Sequence, residues 1–186
     1  MAPAPARCVA ILGGGNLGVA LARGWVASGR LAPGDTRITR RHVEKLRALE
    51  VGGFVVGSDN RAAMAGADCV ILAVRPEQVD EVLEDIAGEI GGTPLVSVAT
   101  GVGLVQLRET LGPGAPLVRA MPNTAVETLS SMTCLAGDAH SGPALEVARD
   151  LFGALGRTLV IDEEMMTPAT ALCACGIAFF LRTVRA

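Results

Sequence analysis

The run "CVAIL" at 8–12 leads directly into Gly13, Gly15 and Gly18 in the order G-x-G-x-x-G, and a stretch that reads as helix follows. That succession restricts the fold more than any other feature of the chain. Each glycine has its own task in a strand–turn–helix unit. Gly13 permits the tight turn, and Gly15 removes a Cβ that would block a pyrophosphate. Gly18 lets helix and strand pack closely. The helix start then offers backbone N–H groups and a positive dipole end to phosphate. The alternative is a glycine-rich turn with no ligand. Taken alone the pattern is weak, so its meaning depends on what surrounds it.

What surrounds it alternates. Residues 16–28 read as helix, with Leu17, Leu21 and Trp25 on one stripe. "TRIT" (36–39) is strand-like, "HVEKLRALE" (42–50) helical with Val43 and Leu46 on one face, and "GFVV" (53–56) strand-like. "CVILAV" (69–74) is nearly all apolar, as a parallel strand covered on both faces must be. "EQVDEVLEDI" (77–86) places Val79, Val82, Leu83 and Ile86 inward on a helix. Strands follow at 94–99, 116–121, 131–137 and 157–161, with a helix at 142–154 between the last two. The rhythm predicts an α/β fold with a Rossmann-like, doubly wound, mostly parallel sheet. From 162 a last helix begins, with Glu163 and Glu164 expected as a solvated start that suits its dipole. Its middle is apolar around much of its circumference and needs partners on several sides.

Composition narrows the partners. The 186 residues carry a formal charge of -3 and no basic run interleaved with aromatics, which argues against nucleic acid. No apolar run approaches the ~20 residues of a membrane span, and the N-terminal stretch has no charged region ahead of its short apolar segment, so it does not read as a secretory signal. Five cysteines, an odd number without a Cys-x-x-Cys, point to a reduced, cytoplasmic protein. Cys8, Cys69, Cys173 and Cys175 are expected as buried thiols rather than a metal or redox site. His42 and His140 lie in polar contexts and are expected to be exposed, with no catalytic task. No metal site is expected.

The second strand distinguishes two cofactors. An Asp or Glu about 20 residues past the glycine loop binds the ribose of NAD. Here the strand ends in Thr39, Arg40 and Arg41 with no acidic residue, and Asp35 precedes the strand. Planar guanidinium donors suit a 2′-phosphate. The residues therefore favour NADP(H) over NAD(H), the alternative being that the arginines are solvated residues at a helix start.

Beyond the glycines, "ILGGGNLGVALARG", "ITRRHVEKL", "ADCVILAVRPEQVDEVLEDI", "LVSVATGV", "LVRAMPNTAVE" and "ALGRTLVIDEEMM…TAL" occur in sequence. In this order they resemble the pyrroline-5-carboxylate reductases, over essentially the whole chain. "LAVRP" and "VRAMPNT" are more specific than the glycine loop. The resemblance implies NAD(P)H-dependent reduction of Δ1-pyrroline-5-carboxylate to L-proline, the last step of proline synthesis. It implies a Rossmann domain over 1–162 and the first helix of an all-α dimerisation domain over 163–186, hence a homo-oligomer formed through that helix.

By position, Gly13, Gly15, Asn16, Leu17 and Gly18 would line the pyrophosphate. Thr39, Arg40 and Arg41 would flank the adenosine 2′ position, and Asn60 would touch the adenosine. Ala73, Val74, Arg75 and Pro76 would lie along the cofactor, Arg75 standing where the family usually has lysine. Met121, Pro122, Asn123 and Thr124 would sit near nicotinamide and substrate, joined by Cys175 and Gly176. Without the resemblance, "MPNT" would read as an ordinary Pro-Asn turn.

Three departures stand out. The family's Ser-Gly-Ser-Gly-Pro-Ala is here Cys173-Ala174-Cys175-Gly176-Ile177-Ala178, so two hydroxyls become thiols, which are weaker donors. Ala125 replaces the usual proline, and Ser131 the usual glycine. The family also continues into further helices with a Gly-Gly-x-Thr-Thr loop for the substrate, a segment expected to be missing from residues 1–186. No catalytic residue is therefore assigned, and the chain is expected to be a shortened form. Two other readings compete: a non-catalytic cofactor-binding or interaction protein from this family, and an imine or β-hydroxyacid-type reductase on the same scaffold. The hydroxyacid version lacks a suitably placed lysine or histidine base.

Overall fold

The computed structural model describes residues 6–185; the outer ends of the two expected domains, residues 1–5 and 186, lie outside the described residues. Eight strands form one sheet in the order β3-β2-β1-β4-β5-β6-β7-β8. They are β1 (Val9–Leu12), β2 (Thr36–Thr39), β3 (Val55–Gly57), β4 (Cys69–Leu72), β5 (Leu95–Ser97), β6 (Leu117–Met121), β7 (Ser131–Gly137) and β8 (Gly156–Val160). The first six run parallel. β7 turns back antiparallel to β6, and β8 follows β7 in parallel. The order 3-2-1-4-5-6 is the doubly wound order, whose switch point lies between β1 and β4.

Alternation along the strands builds two cores. Val9 and Ile11 face one side with Leu21, Trp25, Ile38, Leu151 and Phe152. Ala10 and Leu12 face the other with Val70, Leu72, Val79, Leu83, Ile86 and Leu107. The first core is covered by α1 (Asn16–Ala27) and α6 (Gly142–Gly153), the second by α3 (Asn60–Met64), α4 (Val79–Ile86) and α5 (Leu104–Leu111). Trp25 locks α1 to α6. Its ring meets Phe152 edge-on with centroids 5.8 Å apart, and its Nε1 donates to the Leu151 carbonyl at 2.7 Å. That bond satisfies a carbonyl in the last turn of α6, where helical acceptors run out of partners.

The structure corrects several expectations. The helix expected over 42–50 is a 3-10 turn, Val43–Leu46, that passes into a short α2, Arg47–Val51. Leu46 and Leu49 are the buried residues there. α3 and α5 were not anticipated. Cys8 and Cys173 are only half-buried, Cys8 precedes β1, and Cys175 is exposed rather than buried. The last helix is not regular: α7 (Met166–Ala169) passes into a π-helical stretch, Thr170–Cys175, and then into α8 (Gly176–Arg185). His42 and His140 are exposed.

Candidate functional site

Because the first six strands are parallel, the chain leaves each at the same edge of the sheet. The segments after β1, β2, β3, β4, β5 and β6 therefore begin at Gly13, Arg40, Ser58, Ala73, Val98 and Pro122 along one rim. Ligands of open α/β sheets bind at that rim, by the switch point.

The glycine loop is fixed on both sides. Towards β2, the N–H groups of Gly13 and Gly14 donate to the Thr39 carbonyl at 3.2 and 2.6 Å. Towards β4, Gly13 lies against the segment after the strand, and a Cβ on it would come within 2.5 Å of the Ala73 carbonyl oxygen. Its φ of +115° also excludes ordinary side chains. Gly18 seals the unit from the helix side, where a Cβ would stand 2.1 Å from the Gly13 carbonyl oxygen.

Gly15 is different in kind. It is exposed, and a Cβ built on it meets nothing within 4 Å. It caps α1 with extended backbone and no side-chain cap, and the first helical bond runs from the Val19 N–H to the Gly15 carbonyl at 3.0 Å. The amides of Asn16, Leu17 and Gly18 precede that bond and lie at the positive end of α1. Two of the three glycines thus answer to packing within the protein, whereas Gly15 borders open space beside donors. That cradle fits a pyrophosphate.

Next to it, Arg40 donates from Nη1 to the Gly14 carbonyl at 2.8 Å, which ties a guanidinium to the loop. Arg41 is exposed and stands 3.5 Å from the Glu81 carboxylate. Thr39 is buried, and its hydroxyl donates to Asn60 Oδ1 at 2.7 Å. Asn60 in turn donates to Asp85 at 3.2 Å. Thr39 therefore ties β2 to α3, and Asn60 ties α3 to α4. Ala73 receives little room, since its N–H is bonded to the Leu12 carbonyl at 2.8 Å beside the loop. Val74 reaches the Gly13 position, while Arg75 and Pro76 are exposed at the start of the turn Pro76–Gln78.

At the far end of the rim, Met121 and Pro122 are buried. Asn123 accepts from the Ala125 N–H at 3.2 Å and so caps the 3-10 turn Thr124–Thr128, leaving Thr124 exposed. Met121 packs in one apolar cluster with Cys134, Ala136, Met166 and Cys173. Met121 and Cys173, far apart in sequence, thus share one apolar cluster with Met166 of the last helix. Cys175 is exposed there. Burial, and secondarily the Cys173 thiol, push Cys134 above its ordinary range. Burial pushes Cys69 up to about 12, with the Asp68 charge adding to it. Both stay protonated near neutral pH and make poor nucleophiles.

Glu163 does more than open a helix. Its Oε1 accepts from the Leu104 N–H at 2.6 Å and from Arg119 Nη1 at 3.1 Å. One carboxylate thereby caps α5, pairs with a guanidinium of β6 and anchors the approach to the last helix. The Arg119 side chain is only 12% exposed, so removing its partner leaves a nearly buried cation. Glu163→Ala is expected to cost about 2 kcal/mol, discounted for partial exposure. Thermal unfolding should then shift down by about 4–8 °C. An unchanged midpoint would show that the carboxylate is not needed. Neither Glu163 nor Glu81 carries a local sequence signal; each finds its partner 40 or more residues away.

Among the described residues, no cluster of three or more His, Cys, Asp or Glu could hold a metal ion, and no helix is long and apolar enough to cross a membrane. A shallow depression of about 390 Å³ is lined by Val43, Glu44, Arg47, Glu50 and Val51, none of them a residue of the glycine loop.

The sheet order and the glycine loop at its switch point are those of the dinucleotide-binding class of α/β folds. Residues 8–101 match a family model described as "NADP oxidoreductase coenzyme F420-dependent". The chain is 40% and 41% identical to pyrroline-5-carboxylate reductases 1 and 2 of Dictyostelium discoideum over 96% of its own length, but over 35% and 65% of theirs. It is 31% identical to the pyrroline-5-carboxylate reductase of Corynebacterium melassecola and spans 68% of that protein. The chain belongs to the pyrroline-5-carboxylate reductase family. The solved reductase of Coxiella burnetii superimposes with a TM-score of 0.89 at 28% identity, over 96% of this chain and 68% of that one. The Plasmodium falciparum pyrroline carboxylate reductase, solved with NADP bound, gives 0.87 at 22% identity over 96% and 66%, which shows the shared fold. The chain spans between about a third and two thirds of the Dictyostelium relatives it matches.

Proposed function

We propose that this chain is the cofactor-binding part of an enzyme that reduces Δ1-pyrroline-5-carboxylate to L-proline with NADPH, the last step of proline synthesis. The observation that carries the cofactor reading is the open cradle at Gly15, with helix-start amides and the Arg40 guanidinium beside it and Arg41 next in sequence. The substrate comes from family membership.

In this reading Gly13, Gly15, Asn16, Leu17 and Gly18 hold the pyrophosphate, and Arg40 and Arg41 hold the 2′-phosphate. Thr39 and Asn60 shape the adenosine end. Ala73, Val74, Arg75 and Pro76 line the path to the nicotinamide. Met121, Pro122, Asn123 and Thr124, with Cys175 and Gly176, border the substrate. The cofactor supplies the hydride; the protein's part is position and electrostatics. Residues 1–162 form the dinucleotide-binding domain, and 163–186 begin a helical dimerisation domain. Leu172, Phe179, Phe180 and Val184 are each about two-thirds exposed or more on that helix, which supports a second subunit as its cover. The free thiols accord with a reducing compartment such as the cytoplasm.

Arg41→Ala is expected to weaken NADPH binding about tenfold, the loss of one charge-assisted contact, with NADH binding little changed. Equal losses for both cofactors would remove the 2′-phosphate assignment. A cofactor-binding protein without turnover is the competing reading, favoured by Cys173 and Cys175 in place of the family's serines. NADPH oxidation dependent on pyrroline-5-carboxylate supports the enzyme. NADPH binding without such oxidation supports its rival.

A further inference from the structure

Arg41 and Glu81 come from opposite sides of the glycine loop. Arg41 follows β2 and Glu81 lies in the first turn of α4, which follows β4, and β2 and β4 flank β1 in the sheet. Their side chains nevertheless meet, with Arg41 Nη2 3.5 Å from both oxygens of the Glu81 carboxylate. The pair therefore links the segments that follow the two neighbours of β1. It is not an isolated meeting of surface charges. Asp85, one helical turn beyond Glu81 and so on the same face of α4, accepts from Asn60 at 3.2 Å and pairs with Arg61 at 3.0 Å. This face of α4 is turned towards the elements that follow β2 and β3.

Arg40 is occupied differently. Its guanidinium is held by the Gly14 carbonyl and meets no carboxylate among the described residues. Of the two arginines at the end of β2, only Arg41 is paired with an acid. Both members of that pair are about 70% exposed, so the contact is weak and exchangeable.

We propose that Glu81 sets the preference between 2′-phosphorylated and 2′-hydroxyl dinucleotides by competing with the 2′-phosphate for Arg41. The proposal rests on the cofactor reading above. A phosphate arriving at Arg41 must displace the carboxylate, so the lost Arg41–Glu81 contact counts against its binding. A dinucleotide with a 2′-hydroxyl brings no such phosphate and leaves the pair in place. Glu81 thus penalises NADPH and not NADH, and the penalty requires Arg41.

The test is a fluorescence titration of NADPH and NADH into the protein and its Glu81→Gln, Arg41→Ala and double variants. Glu81→Gln is expected to tighten NADPH about threefold and leave NADH unchanged, in keeping with an exposed ion pair. The gain should shrink as ionic strength rises and disappear in the double variant. Because Glu81 is exposed, its isostere is expected to fold normally, which matching melting curves would confirm. NADPH binding to the wild type with an affinity ratio unaltered by Glu81→Gln, or a gain that survives without Arg41, overturns this proposal alone. Failure of the wild type to bind NADPH overturns the cofactor reading and this proposal with it.

Discussion

A Gly18→Ala protein is expected to bind NADPH at least about 100-fold more weakly than the wild type, a loss of roughly 3 kcal/mol. The added Cβ would stand 2.1 Å from the Gly13 carbonyl oxygen and 3.3 Å from the Ile11 side chain. The nearer neighbour is backbone, and that backbone is tied to Thr39, so the clash cannot be relieved by a rotamer change. Helix α1 must move off the strand, and its first amides move with it. Overpacking of this kind costs about 1–3 kcal/mol in stability as well. Gly15→Ala provides the contrast. Its φ of −77° suits alanine, and its Cβ would meet nothing within 4 Å, so the fold should be untouched. Loss of NADPH binding in a Gly15→Ala protein with wild-type melting would mean that ligand, not packing, requires glycine there. Retained affinity in both variants would reduce the loop to a turn.

The largest stability loss is expected for Trp25→Ala, about 3–5 kcal/mol. Trp25 is fully buried between α1 and α6, and it contributes three things at once. It fills the core volume and stacks edge-on against Phe152, an arrangement that adds about 0.5–1.5 kcal/mol to area burial. It also donates to the Leu151 carbonyl. Chemical denaturation followed by circular dichroism measures the effect, since the variant lacks the chain's one tryptophan. Trp25→Phe should recover part of the packing but not the hydrogen bond. A loss below about 1 kcal/mol for the alanine variant would show that α1 and α6 do not depend on this contact.

Much of the fold could be read from periodicity and glycine placement. Of the run at 69–74, apolar at nearly every position, Cys69–Leu72 becomes a strand with both faces covered, as parallel strands require. The 42–50 segment is ambiguous because Val43 and Leu46 are three apart, a spacing that a 3-10 turn satisfies as well as an α-helix does. α5 also has a signal in the sequence. Leu104, Leu107 and Leu111 recur at helical spacing, and Gly112 follows with a φ of +91°, where a helix stop favours glycine. α3 is short, but Asp59 caps it through the Ala62 N–H at 3.0 Å, and an Asp before a helical run is a readable start. The reversal at β7 follows from the short segment 122–130, which has no room for the helical crossover that a parallel return needs.

The site was legible where it is local and opaque where it is tertiary. The loop 13–18 and the arginine pair 40–41 are each contiguous in sequence, and the sheet brings the two to one rim. Nothing near Glu163 in sequence foretells that Arg119 and the first amide of α5 converge on it, because β6 and α5 are positioned by the core beneath them. Cys173 likewise meets Cys134 and Met121 only because the last helix docks through Met166.

The most direct measurement is the fluorescence titration of NADPH into the wild-type protein near 0.1 M salt. The cradle at the first βα turn, with Arg40 beside it and Arg41 next in sequence, predicts a saturable, one-to-one signal complete below about 1 mM, the upper end of the usual range for enzyme ligands. NADH should bind more weakly. A signal that rises linearly through that concentration, with no saturation for either dinucleotide, would contradict the account.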